Sequence, residues 1–155
     1  MGLDQYLEAR KYISGYEWDS ADKQKAYDII STTLGFSSDD VFRRYVIVGL
    51  PVGYWRKANQ IHHWFVENVQ GGVDDCGTYS VSVEQLGELR DLCNKVIDNH
   101  DLAEQLLPTA SGFFFGDTTY DEYYFEELQS TVDIINRCLG DEKLAGCDFQ
   151  YQSSW

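Results

Sequence analysis

Apolar and polar residues alternate over residues 3–13, with Leu3, Gln5, Leu7 and Ala9 on one side and Asp4, Tyr6 and Glu8 on the other. A period of two predicts a strand with its charges toward solvent, broken by Gly15. Asp19 or Ser20 can cap a helix running to about residue 34, with Ala26, Ile29, Ile30 and Leu34 inward and Gly35 at its end. Residues 37–40 read as loop. Over 44–50 the run Tyr45, Val46, Ile47, Val48 has no alternation, which predicts a strand buried on both faces. Pro51 and Gly53 then break the chain, and a helix is predicted over 55–69, stopped by Gly71 and Gly72. Residues 73–80 form a polar loop with a short extended piece near Tyr79. Ser82 and Gln85 make a capping box for a helix to about residue 98, with Val83, Leu86, Leu89, Leu92, Cys93 and Val96 on one face. A short helix follows over 101–107, halted by Pro108, and 109–120 is an irregular aromatic loop. A last helix, capped by Thr119 or Asp121, runs over 121–139 and buries Phe125, Leu128, Val132, Ile135 and Leu139. The tail 140–155 folds back on Phe149, Tyr151 and Trp155.

These elements define an α+β chain: a small sheet of two to three strands packed with four to five helices, in one globular domain over 1–155. A parallel βαβ order of the first two strands stays open. There is no internal repeat and no low-complexity segment.

Charge adds a contrast to this pattern. The chain has 26 Asp and Glu against 12 Lys and Arg, a net charge of −14. Yet residues 41–66 contain no acid, while Arg43, Arg44, Arg56 and Lys57 are basic and Trp55, Trp64, His62 and His63 lie among them. Between Lys95 and Arg137 the balance reverses, with nine acids and no Lys or Arg. The overall charge disfavours nucleic acid and anionic membrane as partners. The N-terminus has neither the basic nor the apolar region of a secretory signal, and no apolar run approaches ~20 residues. The expected setting is the cytoplasm.

On the predicted helix 55–69, Trp55, Asn59, His62 and Val66 share one face, and Ala58, Ile61, Phe65 and Val69 form the core stripe. Arg56 and Lys57 fall in its first turn, where free N–H groups and the helix dipole favour an anion. A guanidinium fork and an ammonium there describe a phosphate or carboxylate site, and flanking aromatics could stack a flat ring. The ordinary alternative is an amphipathic helix whose cations pair with surrounding acids. Asp117, Asp121 and Glu122 read first as helix capping and only second as hard-metal ligands with Asp74 or Asp75. Gly112, Phe113, Phe114, Phe115 and Gly116 describe either a strand plugging the core or the wall of a ligand pocket. Of Cys76, Cys93, Cys138 and Cys147, only Cys76 sits in a polar loop and is a candidate for reactivity. No Cys-x-x-Cys, P-loop or nucleophile-elbow pattern is present.

Several strings occur together: Met1-Gly-Leu-Asp4; Tyr54-Trp-Arg-Lys-Ala-Asn-Gln-Ile-His62 with Trp64 and Phe65; Asn68, Gln70 and Gly72 before Asp74-Asp-Cys76; Leu107-Pro-Thr109; and Gly112-Phe-Phe-Phe-Gly116 with Thr118, Tyr120-Asp-Glu122 and Tyr124. In this order and spacing they resemble a family of small uncharacterised proteins of tailed bacteriophages and prophages. The resemblance covers most of 54–139 and leaves out 19–48 and the tail after Leu139. It implies that the central motif and the aromatic loop work as a set and meet in space, and that the protein counters host defence. The expected activity is binding and sequestration of a phosphate-bearing, nucleotide-like immune signal. The candidate ligand-binding residues are Tyr54, Trp55, Arg56, Lys57, Asn59, His62, Phe113, Phe115 and Tyr120, with no catalytic set, metal or cofactor assigned. One alternative is a hydrolase or phosphodiesterase using His62 or Asp75 as general acid/base. Another is an acidic DNA mimic or protein-interaction inhibitor acting through Asp121, Glu122, Glu126 and Glu127. A host defence protein and a second copy of the chain complete the expected partners.

Overall fold

Leu3, Gln5, Leu7 and Ala9 are fully buried, as the alternation requires, and belong to or adjoin the first strand, β1 (Asp4–Ser14). The computed structural model describes residues 2–37, 40 and 43–155, so Ser38 and Asp39 of the predicted loop lie outside it, as do Met1, Val41 and Phe42. After β1 come α1 (Ala21–Thr33), β2 (Tyr45–Arg56), α2 (Asn59–Asn68), β3 (Thr78–Val81), α3 (Val83–Asp98), the short α4 (Ala103–Leu106), α5 (Glu122–Gly140) and β4 (Asp148–Ser154). The fold is α+β, with five α-helices and one four-stranded antiparallel sheet among the described residues, in the order β2-β1-β4-β3.

The sheet has more strands than the predicted two to three. The tail that was expected to fold back forms β4, and it recruits the short extended piece near Tyr79 as β3, pairing Thr78 with Gln152 and Val81 with Phe149. The parallel βαβ alternative fails. Lys57 N–H donates to Leu3 O and Gly15 N–H to Arg44 O, so β1 and β2 run in opposite directions. Strand β2 is an edge, not a doubly buried centre: Tyr45 and Ile47 are exposed while Val46 and Val48 are half-buried. Pro51, read as a breaker, is accommodated inside β2, because an edge strand can spare one N–H.

Contacts group the chain into two compact units, Met1–Ala9 with Pro51–Trp155, and Arg10–Leu50. In the larger unit, α2, α3 and α5 cover one face of the sheet, with Leu7, Trp55, Ile61, Phe65, Leu89, Ile135 and Tyr151 in one apolar cluster. Phe65 and Tyr151 stack at 3.8 Å between ring centroids. Gly53 sits where α5 comes down on the sheet: a Cβ there would lie 2.8 Å from Ile134 Cγ2 and 3.2 Å from Leu7 Cβ. The capping signals hold. Ser82 and Gln85 bond reciprocally at the start of α3, and Asp121 accepts from Tyr124 N–H at the start of α5.

In the smaller unit, Ser20 caps α1 and Gly35 takes a left-handed φ of 79° after it. The inward face differs from the predicted one: Ile29 and Leu34 are exposed, and Tyr27 and Ser31 are buried. The Arg44 guanidinium lies over the Tyr27 ring and bonds Asp28.

Candidate functional site

The predicted helix 55–69 begins four residues late. Trp55 and Arg56 are the last residues of β2, held extended by pairing with β1, and the helix opens at Asn59. Lys57 occupies the bend between them at φ 61°, a left-handed conformation that a side chain adopts at some cost. Arg56 and Lys57 therefore precede the first helical turn and do not form the predicted helix-start anion cradle.

The residues predicted to share a ligand-facing surface point inward. Trp55 is buried, and its indole N–H donates to Thr131 Oγ1 at 2.8 Å. Asn59 uses its whole amide on the aromatic loop: Nδ2 donates to Phe115 O (3.1 Å) and Asp117 O (2.8 Å), and Oδ1 accepts from Ala110 N–H (2.9 Å). His62 is 1% exposed, with Nδ1 2.8 Å from Tyr151 Oη and Nε2 3.0 Å from Asp74 Oδ2. Gln5 Nε2 donates to Ala58 O, and Gln5 Oε1 accepts from Tyr151 Oη, which also lies against His62 Nδ1. The Asp74 carboxylate accepts from Nε2 and also from the Trp155 indole. His62 thus ties the 73–77 loop and the C-terminal tail to α2 and is sealed from solvent.

The central motif and the aromatic loop do meet. Besides the Asn59 contacts, Leu3 N–H donates to Phe114 O, and Gly116 passes against Lys57. Gly116 has φ 91°, and a Cβ on it would lie 3.0 Å from Lys57 Cβ, so glycine permits both the turn and the approach. The predicted stacking residues scatter. Tyr54 is exposed beside Tyr6 and donates to Asp4. Phe113 is 94% exposed, whereas Phe115 packs edge-on against His62 at 5.2 Å. Tyr120 packs edge-on against Tyr124.

Where the bend, the loop and α5 converge there is an open groove of 380 Å³. Arg56 and Lys57 supply cations and Asp117, Asp121 and Glu127 carboxylates, and Gln60, Thr109, Gly116, Thr119, Tyr123 and Tyr124 complete the lining. Of the nine candidate binding residues only Arg56 and Lys57 line it; Tyr54, Trp55, Asn59, His62, Phe113, Phe115 and Tyr120 do not. Among the described residues neither cation lies within ion-pair distance of an acid. Backbone and hydroxyl bonds from Thr119 hold the Asp117 carboxyl below its ordinary pKa. Burial pushes Glu127 the other way, above its ordinary pKa; the Gln60 Nε2 bond to its Oε2 (3.0 Å) opposes the shift, and the Asp121 charge adds to it.

Gln60 was missed from sequence, and Glu127 was named only within the acidic surface, yet a signal exists for its place in the groove. It falls at the i+3 position from buried Tyr124 and one turn before Thr131, so the apolar face of α5 carries one carboxylate. The cysteines behave as expected by position: Cys93 and Cys138 are buried, and burial pushes their thiols up to about 12 and about 11. Cys147 is buried as well, while Cys76 is half-buried at φ 57°.

The fold and groove together define an α+β protein with a two-signed surface cleft. Comparison with protein-family models, curated proteins and solved structures found no match. No helix among the described residues is long and apolar enough to cross a membrane.

Proposed function

We propose that the groove binds a small phosphate-bearing, nucleotide-like molecule and that the protein acts by sequestering it. One observation carries this reading: two cations without acid partners among the described residues share a 380 Å³ cleft with three carboxylates. Charges of both signs call for a ligand with chemistry of both kinds. Phosphate oxygens suit Arg56 and Lys57, the first as a fork and the second as a point charge. Sugar hydroxyls or an exocyclic amine suit Asp117, Asp121 and Glu127, which accept hydrogen bonds. The exposed Tyr123 ring offers a stacking face. The resemblance to tailed-phage proteins supports a counter-defence setting in the host cytoplasm, with a nucleotide immune signal as the molecule removed.

Calorimetry against cyclic and ADP-ribose-type nucleotides tests the proposal. Binding should weaken by about tenfold or more in Arg56→Ala and in Lys57→Ala, because each loses a charge-assisted contact. Both side chains are exposed, so the variants should fold. Absence of heat with every nucleotide, or binding untouched by both substitutions, would sink the idea.

A second reading, hydrolysis of the same ligand, rests on Glu127, whose raised pKa suits a general acid in the cleft. The earlier candidates are less apt: His62 is sealed, and the Asp75 carboxylate is engaged by Gly77 N–H and Tyr79 Oη. Chromatography of ligand recovered after denaturing the complex separates the readings, since intact ligand means sequestration and converted ligand means catalysis.

A further inference from the structure

A second open cavity, of 510 Å³, lies on another face of α5. Its floor is aromatic. His100, from the turn that follows α3, stacks flat on Phe125 with centroids 3.7 Å apart and planes 14° apart, and Tyr120 and Ile97 extend the apolar lining. Glu122, Phe125, Glu126 and Gln129 all line it because spacings of three and four put them on one helix face. Gln129 is turned to Asp133, and Asp121 caps the helix. The carboxylates of Glu122 and Glu126 have no hydrogen-bond or ion-pair partner among the described residues. No Lys or Arg occurs between Lys95 and Arg137 to neutralise them from nearby in the chain.

We propose that this cavity binds a small alkylammonium ion. Aromatic faces attract a cation through their quadrupole and its hydrocarbon groups through apolar contact. The two carboxylates, one helical turn apart at the rim, match its charge. An anion would meet both carboxylates, and a neutral apolar molecule would gain the floor and nothing from the rim. A hydrated metal ion wants oxygen on all sides and would find rings instead. The volume falls within the range of about 300–1,000 Å³ usual for small-molecule sites.

Choline and its neutral carbon isostere, 3,3-dimethylbutan-1-ol, provide matched probes. Each is titrated into the full chain at about 150 mM NaCl, which screens diffuse attraction to an acidic surface, and followed by amide chemical shifts of residues 97–101 and 120–129. Choline should give saturable shifts there, with the alcohol at least about tenfold weaker. E122Q/E126Q should weaken choline by about tenfold and leave the weak response to the alcohol in place; both glutamates are exposed, so the fold should survive. Equal affinity for choline and the alcohol would reduce the site to an apolar hollow and overturn the proposal. So would choline binding that is unchanged in the double variant, or an absence of saturable shifts. The readout does not involve Arg56 or Lys57, so it stands apart from the nucleotide reading.

Discussion

Asn59 shows how one side chain can set a loop. Its three hydrogen bonds reach Ala110, Phe115 and Asp117, and replacing it by alanine leaves two carbonyls and one N–H in a part-buried place without partners. Asn59→Ala should cost about 3 kcal/mol in urea unfolding, with an unchanged m-value, and should strip exchange protection from the Ala110 amide. A loss below about 1 kcal/mol would mean that the loop is held by other contacts. Glu127 acts through charge instead. Burial lifts its folded pKa above the unfolded value, so the fold favours the protonated form. Its stabilising contribution is complete below the unfolded pKa and is lost as pH rises through the folded one. Glu127→Gln can still accept the Gln60 bond and does not ionise. The variant should match the wild type in acid and gain stability over it toward neutral pH, as read by denaturant midpoints across the range. A difference that shrinks with rising pH would reverse the assignment.

Among the elements, the junction of β2 and α5 is closely packed. Gly53→Ala places a methyl 2.8 Å from Ile134 Cγ2 on one side and against Leu7 on the other, so helix and sheet must separate or Ile134 must leave its rotamer. The expected loss is about 1–3 kcal/mol of unfolding free energy, partly recovered in a double variant with Ile134→Val, which removes a methyl but retains Cγ2 and so relieves the clash only by allowing repacking. Strictly additive losses would show that the two sites do not share this strain. The same junction explains why the helix prediction failed at Trp55. A break at Pro51 and Gly53 is a local reading, whereas continued pairing with β1 and a buried indole bonded to Thr131 are long-range terms that outweigh it.

Across the molecule, charge is unevenly divided. Residues 10–50 carry six basic and six acidic side chains, so the full surplus of 14 acids belongs to the rest of the chain. The ion pairs Arg44–Asp28 and Arg90–Asp91 are partly exposed and offer little compensation. Self-repulsion should therefore dominate the salt response. Raising NaCl from about 0.02 M to about 0.5 M should move the urea midpoint upward. A downward shift would show that favourable pairs outweigh the repulsion.

Many local signals were legible in the chain. The alternation of β1, the Ser20, Ser82 and Asp121 caps, the turn at Gly35 and the apolar stripes of α3 and α5 depend on residues within one or two turns of each other, so the nearby sequence contains their cause. The meeting of the central motif with the aromatic loop was also expected, through the resemblance that linked them. What the tertiary structure decided was the direction in which those residues face. Asn59 and His62 look like a polar surface on a helical wheel, yet the 109–117 loop and the C-terminal tail cover them and take up their hydrogen bonds. Tyr151 reaches Gln5 across nearly the whole chain, and Gln60 reaches Glu127 across 67 residues. Periodicity assigns a residue to a face, but packing by distant segments determines whether that face meets water. For this protein that difference moved the candidate site from the helix start to the groove of Arg56, Lys57 and Glu127.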